Sequence, residues 1–158
     1  MAMRVRCLVL LFVMAFPAAA QKYAGPVPPK PDLPYLKHAD NLVPTEATEA
    51  KEEKGKKDDI TYTVAGAASS ARTPLASPVF LLQTEKLTAA SLALYRLESK
   101  NGHREIMFGP KKPPKAIRME ATKLGDKLYR LEVEESLEPG EYSITPEGSN
   151  QVFCFQVY

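Results

Sequence analysis

The side chains that could take part in catalysis are few and lie far apart in the sequence. After residue 20 the chain has two histidines, His38 and His103, and one cysteine, Cys154. Acid–base or nucleophilic catalysis needs a titratable group beside a partner, and a zinc site needs about four Cys or His ligands. His38 lies in a proline-rich stretch and His103 at the tip of a predicted hairpin. We therefore predict no catalytic, metal-binding or cofactor-binding residue, and we expect no enzyme activity.

The acidic residues are densest near the C-terminus. Glu132 and Glu134 alternate with apolar residues, so they would share one face of a strand and could act as paired acids or bind calcium. Neither the EF-hand spacing nor another loop rich in Asp and Asn accompanies them. A solvated sheet face is the better interpretation. An enzyme of unrecognised type that uses Glu132, Glu134 or His103 is kept as an alternative.

Three lysines form the one candidate binding site that the sequence suggests. Lys111, Lys112 and Lys115 lie in a proline-containing loop over residues 109–115, where they could contact a polyanion such as a glycan of the cell envelope. Residues 110–130 carry seven basic and two acidic side chains, whereas residues 131–150 carry six Glu and no basic side chain. On antiparallel strands these groups are expected to form cross-strand pairs. The lysines lack interleaved aromatic residues, which argues against nucleic acid as the partner.

The N-terminus has the features of a secretory signal peptide over residues 1–20. Arg4 and Arg6 precede an apolar run over residues 7–16, and small residues come before Gln21. The run is shorter than the roughly 20 residues that a membrane-spanning helix needs. We therefore predict an exported protein, periplasmic or extracellular. Removing Arg4 and Arg6 from 21 basic residues leaves 19 against 19 acidic ones, which again does not indicate a nucleic-acid partner.

The rest of the chain divides into a spacer and a β domain. Five prolines between residues 26 and 34 indicate an extended, semi-rigid spacer over residues 21–40. Residues 41–158 are predicted to form the domain. Within it, residues 41–65 are expected to form a hairpin with the charged run 51–59 at its tip. The alternative is that this segment is partly disordered.

Short strands at intervals of about ten residues, separated by Gly and Pro turns, predict an all-β protein. Asn101-Gly102 is a strong hairpin signal, although a helix over residues 88–100 is the alternative for the segment before it. Tyr142 follows the turn Pro139-Gly140, as in a tyrosine corner, whose hydroxyl bonds to the backbone upstream. Together these features predict an immunoglobulin-like antiparallel β-sandwich of about seven or eight strands. Cys154 is expected to be a buried small hydrophobe, with an intermolecular disulfide as the alternative.

Several short motifs carry a resemblance to a group of proteins. They are Pro-Tyr-Leu-x-His-Ala (34–39), Glu-Ala-Lys-Glu-Glu-Lys (49–54), Ala-Arg-Thr-Pro-Leu-Ala (71–76), Pro-Gly-Glu-Tyr (139–142) and Val-Phe-Cys-Phe (152–155). The chain resembles uncharacterised secreted bacterial proteins, in which a signal peptide and a Pro-rich spacer precede a small β domain. The resemblance implies a bacterial envelope setting and brings no cofactor or catalytic residue.

These observations predict an exported, non-enzymatic β-sandwich protein that binds or scaffolds in the bacterial cell envelope. Its partner would be an envelope protein or a glycan. One alternative is a subunit of a self-associating or heteromeric envelope structure, and the other is the enzyme of unrecognised type. Function is expected to lie in the loops around residues 65–77 and 109–115.

Overall fold

The computed structural model describes residues 22–158, so the predicted signal peptide and Gln21 lie outside the described residues. Short β-strands make up about half of the described chain, which also has two single-turn 3-10 helices at Lys56–Asp58 and Ala89–Ser91. The strands are, in chain order, β1 Tyr35–His38, β2 Asn41–Pro44, β3 Glu46–Glu49, β4 Lys51–Lys54, β5 Ile60–Ala65, β6 Arg72–Thr73, β7 Val79–Gln83, β8 Leu92–Lys100, β9 His103–Phe108, β10 Met119–Lys123, β11 Leu128–Val133, β12 Gly140–Pro146 and β13 Gln151–Val157.

The strands form two sheets. The smaller sheet has the order β10-β11-β7-β1-β2, and each neighbouring pair is antiparallel. The larger sheet has the order β3-β13-β12-β8-β9-β5-β4, and the short strand β6 pairs in parallel with β13. The predicted all-β fold with antiparallel sheets is therefore confirmed. Its assignment to the immunoglobulin-like class stays a prediction.

The larger sheet rolls up, because its two outer strands are consecutive in the chain. Strands β3 and β4 are at opposite ends of the strand order, yet only Ala50 separates them. The first half of this continuous segment pairs with β13 and the second half with β5. The sheet must therefore curl until its two edges meet in one segment. We call it the rolled sheet, and the face that it turns inward is its interior.

The other face of the rolled sheet packs against the smaller sheet and forms the main core. Phe80 of the smaller sheet meets Phe155 with ring centroids 5.0 Å apart, and Tyr142 stacks on Phe155 at 5.5 Å. The Tyr142 side chain is 1% exposed, and its hydroxyl donates a 2.7 Å hydrogen bond to the carbonyl oxygen of Glu138. The hydrogen bond predicted for the tyrosine corner is thus present. The residues expected to form the core around it are buried: Ile144, Phe153, Phe155 and Val157.

The predicted hairpins are present. Strands β4 and β5 pair as the hairpin expected within residues 41–65. Asn101 and Gly102 both have positive φ, at 52° and 79°, as the tight turn between β8 and β9 requires. The alternative of a helix over residues 88–100 is wrong, because β8 pairs with β12 along Leu92–Leu97. Alternation of apolar residues outweighed helix propensity there.

The proline-rich segment is packed on the domain, so the predicted spacer over residues 21–40 is wrong for its later part. Residues 35–38 form β1, which pairs with β2 and β7 inside the smaller sheet. The backbone N–H of Asp32 donates to the Gln83 carbonyl at 2.7 Å, and its carboxylate accepts from the backbone N–H groups of residues 85–87. The prolines lack an N–H donor, and they interfere with strand pairing only before residue 35. The buried Leu36 then packs β1 into the main core.

Candidate functional site

The interior of the rolled sheet has two ends with different chemistry. Because side chains alternate between the faces of a strand, every second residue points inward. The antiparallel register places Arg104 of β9 beside Val64 of β5, and Phe108 beside Ile60. One end of the interior therefore receives charged side chains, whereas the other receives aromatic and aliphatic ones. We call the first the ionic end and the second the cavity end.

Arg104 is the centre of the ionic end. Its side chain is 0% exposed, and its guanidinium holds the Glu46 carboxylate in a bidentate pair at 2.8 and 3.0 Å. It also donates to the carbonyl oxygens of Ala65 and Gly66 at 2.7 and 2.9 Å. The planar guanidinium needs several acceptors, and here the Glu46 carboxylate and the two backbone carbonyl groups supply them. The loop after β5 thus closes this end of the interior.

Glu141 is the second carboxylate of the ionic end and is only 5% exposed. Its Oε2 accepts a 3.0 Å hydrogen bond from the Ser69 N–H and lies 3.7 Å from Arg104 Nη1. Its Oε1 is buried and has no hydrogen-bond partner among the described residues. Burial raises the pKa of Glu141. Burial also acts to raise the pKa of Glu46, but the hydrogen bonds from Arg104, Ser69 and Ser70 and the charge of Arg104 together outweigh it, so this pKa is lowered.

A small apolar layer separates the two ends. It contains Val64, Leu97, Val152 and Cys154, which pack together inside the rolled sheet. Cys154 is a free cysteine that is 0% exposed, and burial raises its pKa to about 12. A thiol in this state is a poor nucleophile. The prediction that Cys154 is a buried small hydrophobe is confirmed.

The cavity end is not filled by side chains. It holds a cavity of about 580 Å³, which is within the usual range of ligand sites, roughly 300–1,000 Å³. Three half-buried aromatic rings line it: Phe108 meets Tyr62 edge-to-face at 5.6 Å and Tyr95 edge-to-face at 5.4 Å. The aliphatic lining includes Ile60, Leu92, Leu97, Ile106, Pro146 and Val152.

The polar groups of the cavity are hydroxyls and carboxylates. Ser143 and Thr145 of β12 line it, with their hydroxyl oxygens 3.5 Å apart. Glu52 and Glu147 also line it, and the lining drawn from residues 22–158 includes no Lys, Arg or His. Burial raises the pKa of Tyr62, and the charge of Glu52, its partner across the β4–β5 pair, raises it further.

The lysines of the predicted polyanion site lie outside this cavity. Lys111, Lys112 and Lys115 are exposed, in the loop that begins directly after Phe108. Whether they contact a polyanion stays a prediction. The loop around residues 65–77, which was also expected to carry function, instead covers the ionic end through Ala65, Gly66 and Ser69.

The other candidate residues are engaged on the surface and do not come together. Glu132 pairs with Arg130 on the same strand, and Glu134 pairs with Arg118 at 3.1 Å, which is one of the expected cross-strand contacts. His103 Nε2 lies 2.9 Å from a Glu105 carboxylate oxygen. None of the residues proposed for an enzyme lines the cavity. His38 bonds to Thr73 Oγ1 at 2.9 Å, which is a positioned contact that the sequence did not predict.

Sequence reasoning missed both ends of the interior. The alternation of Ile60, Tyr62 and Val64 correctly indicated one apolar face. In β9, which neighbours β5 in the sheet, Arg104 is on the same face as Ile106 and Phe108. An arginine near the start of a strand suggests an exposed strand end and not a buried side chain. Along β3 and β4, the alternate residues Glu46, Thr48, Ala50 and Glu52 share no chemical character, so no pattern in the sequence marked these strands as one continuous segment.

Residues 22–158 show neither a metal-binding cluster nor a membrane-spanning helix. In that range no group of three or more His, Cys, Asp or Glu side chains is placed to hold a metal ion. None of its helices has the length and apolar character needed to cross a membrane. Comparison with known proteins gives no significant match to a family model, to a curated protein or to a solved structure.

Proposed function

We propose that the protein is an exported, non-enzymatic binding protein of the bacterial cell envelope, and that it binds a small molecule in the cavity of the rolled sheet. The observation that carries the proposal is the cavity itself, at about 580 Å³. Sheets of this size normally fill their interior with side chains. A cavity left open beside a well-packed core is most simply explained by a ligand that occupies it.

The shape and lining of the cavity support binding rather than catalysis. Aromatic and aliphatic side chains surround a few hydroxyl and carboxylate groups, which is the usual composition of ligand sites. The residues considered for an enzyme, Glu132, Glu134 and His103, are elsewhere on the surface. The expected export follows from the sequence of residues 1–20, and a two-sheet β domain is a common scaffold for binding at one end of its strands.

Small neutral probes test the proposed binding site. Fragments such as 3,3-dimethylbutan-1-ol and cyclohexanol are expected to shift the backbone NMR signals of Ile106, Phe108 and Thr145. The Ala93→Phe variant should fill the cavity, since Ala93 lines it, and should abolish these shifts. The matched control is Ala121→Phe on the exposed face of β10, which should leave them unchanged. Absence of shifts in the unmodified protein, or equal shifts in both variants, would contradict the proposal.

Export has a separate test. The protein recovered from a periplasmic or extracellular fraction should begin at Gln21, as determined by N-terminal sequencing or intact mass. Recovery only in the cytoplasm with residues 1–20 attached would contradict this part of the proposal.

A second candidate is a subunit that self-associates through uncovered strands. Strands β2 and β10 are the two edges of the smaller sheet. Exposed Glu120 and Lys123 on β10 disfavour edge-to-edge pairing there, which leaves β2 as the candidate edge. Sedimentation at rising protein concentration distinguishes the two functions, because a monomer throughout excludes self-association but not ligand binding.

The immunoglobulin-like assignment also belongs with these proposals. It is supported by the packing of two sheets and by the Tyr142 hydroxyl bond to the Glu138 carbonyl. An experimentally determined strand order that matched an immunoglobulin domain would establish it.

A further inference from the structure

We propose that the ligand of the cavity is a small organic cation, an alkylammonium ion with an apolar body. The inference rests on the proposed function, because it names the class of ligand for the same cavity. It follows from two properties of the lining: the aromatic rings and the sign of the charges.

The aromatic rings provide the first argument. Phe108 meets Tyr62 at an interplanar angle of 90° and Tyr95 at 75°. The three rings therefore present walls in different planes to one cavity, as in the aromatic cages that bind quaternary ammonium groups. All three are only half-buried, so a ligand would desolvate their remaining surface. A cation over a ring face gains energy from the ring quadrupole, which a neutral alkyl group of the same shape does not.

The charges provide the second argument. Glu52 and Glu147 line the cavity, and no basic residue of the described chain does. Both carboxylates are exposed, so they lie at the solvent-facing part of the lining, where an anionic ligand would meet two like charges without a counter-ion. A cation would be attracted to both carboxylates as well as to the rings. Ser143 and Thr145 add hydroxyl groups that can accept from an N–H or pair with a polar end of the ligand.

The unfavourable groups are the lysines of the neighbouring loop. Lys111, Lys112 and Lys115 begin three residues after Phe108, and they would repel a cation. They are exposed and do not line the cavity. Salt screens exposed charges over about 8 Å at physiological ionic strength, and this applies to the exposed Glu52 and Glu147 as well as to the lysines. The two carboxylates line the cavity, however, so they lie closer to its occupant than the lysines do. The lining groups should therefore decide the sign of the ligand.

Three ligands of nearly equal shape test the inference with the purified protein. Choline, 3,3-dimethylbutan-1-ol and 3,3-dimethylbutanoate carry the same branched body with a positive, neutral or negative character. Their affinities are measured from the NMR shifts of Ile106 and Phe108. Choline should bind about 5- to 30-fold more tightly than the neutral alcohol, which corresponds to about 1–2 kcal/mol of cation–π and charge attraction. The carboxylate should bind most weakly.

The outcomes separate this inference from the proposed function. Equal binding of choline and the alcohol, or preference for the carboxylate, would overturn the cationic ligand and leave a ligand-binding cavity. No binding of any of the three would overturn both.

Variants identify the groups responsible. Glu52→Gln should reduce the preference for choline over the alcohol several-fold. The matched control is Glu53→Gln on the same strand: both glutamates are exposed, but Glu53 pairs with Lys51 and does not line the cavity. Phe108→Leu keeps an apolar side chain but removes a ring, and it should also reduce the preference while leaving binding of the alcohol similar. Unchanged preference in both Glu52→Gln and Phe108→Leu would overturn the assignment. Thermal unfolding confirms that each variant is folded.

Discussion

The two ends of the rolled interior use the same strands to opposite effect. At the ionic end, a buried Arg104 is held by Glu46 and by two backbone carbonyls, and a loop covers the group. At the cavity end, residues of the same strands leave about 580 Å³ unfilled. The alternating side chains of β5 and β9 therefore close one end of the interior with an ion pair and line an accessible cavity at the other end.

This difference indicates which end of the interior is available to bind a ligand. Buried charges are stable in a protein only when they are paired and hydrogen-bonded, so the ionic end is committed to its own contacts. Aromatic and aliphatic side chains tolerate a cavity at smaller cost, and they gain free energy when a ligand fills it. The contrast can be tested by removing side chains from each end and from the core between the sheets.

The largest effect is expected for Arg104→Ala. It leaves the buried Glu141 and the half-buried Glu46 without a counter-charge and removes one donor from each of two carbonyl groups. The free energy of unfolding should fall by about 3–5 kcal/mol. Urea denaturation followed by circular dichroism measures it.

The matched control is Arg96→Ala on the neighbouring strand. Arg96 is exposed and pairs with Glu138 at 3.0 Å, and such surface pairs contribute about 0–1 kcal/mol. If both variants lost the same small amount of stability, the ionic end would contribute no more to stability than a surface ion pair does.

A second comparison uses one residue type in two environments. Ile144 is 0% exposed between the two sheets, whereas Ile106 is half-buried at the cavity. Ile144→Ala should cost about 2–5 kcal/mol of unfolding free energy, because a packed core cannot relax around the missing atoms. Ile106→Ala should cost clearly less, since its side chain already borders an unfilled space. Equal costs would mean that the cavity is packed in solution.

Tyr142→Phe tests the corner that fixes the start of β12. The hydroxyl bond to the Glu138 carbonyl is lost, and the carbonyl loses its donor, so stability should fall by about 1–3 kcal/mol. Tyr129→Phe, at a half-buried position on the smaller sheet, is the control and should change little. An unchanged midpoint for Tyr142→Phe would show that the hydroxyl bond does not stabilise the fold, because water donates to the Glu138 carbonyl equally well.

The sequence predicted the outer face of the rolled sheet well and its interior poorly. Tyr142 and Ile144 alternate with polar neighbours, and Phe153, Phe155 and Val157 recur at every second position, so the core face follows from a period of two. The turn at Asn101-Gly102 follows from its need for positive φ. These are local rules, and they acted locally.

The ionic end and the cavity depend instead on pairing between distant segments. Glu46 and Arg104 are 58 positions apart, and only the rolling of the sheet brings them together. The local sequence predicts that Arg104 is an exposed charge beside a turn, and that Ser143 and Thr145 lie on the solvent-facing side of their strand. No local pattern states that a sheet closes on itself, so the interior could not be read before the pairing of β3 with β13 and β4 with β5 was known.

The response to pH distinguishes the two carboxylates within the ionic end. The folded-state pKa of Glu46 is lowered, because the hydrogen bonds from Arg104, Ser69 and Ser70 and the charge of Arg104 together outweigh its burial. Its contribution to stability is therefore present above its unfolded pKa and is lost as pH falls through the folded value. The folded-state pKa of Glu141 is raised by burial, so its contribution is fully present below its unfolded pKa and is lost as pH rises through the folded value.

Unfolding by urea between pH 2.5 and pH 8 measures both, because the Glu46 contribution is lost only below its unfolded pKa; Glu46→Gln and Glu141→Gln are compared with the unmodified protein. The stability advantage of the protein over Glu46→Gln should shrink as pH falls. The stability of the unmodified protein relative to Glu141→Gln should instead increase as pH falls. Protonation removes the buried charge of Glu141, whose Oε1 has no hydrogen-bond partner among the described residues. Parallel slopes would mean that the two carboxylates share one environment, and that Arg104 compensates them equally.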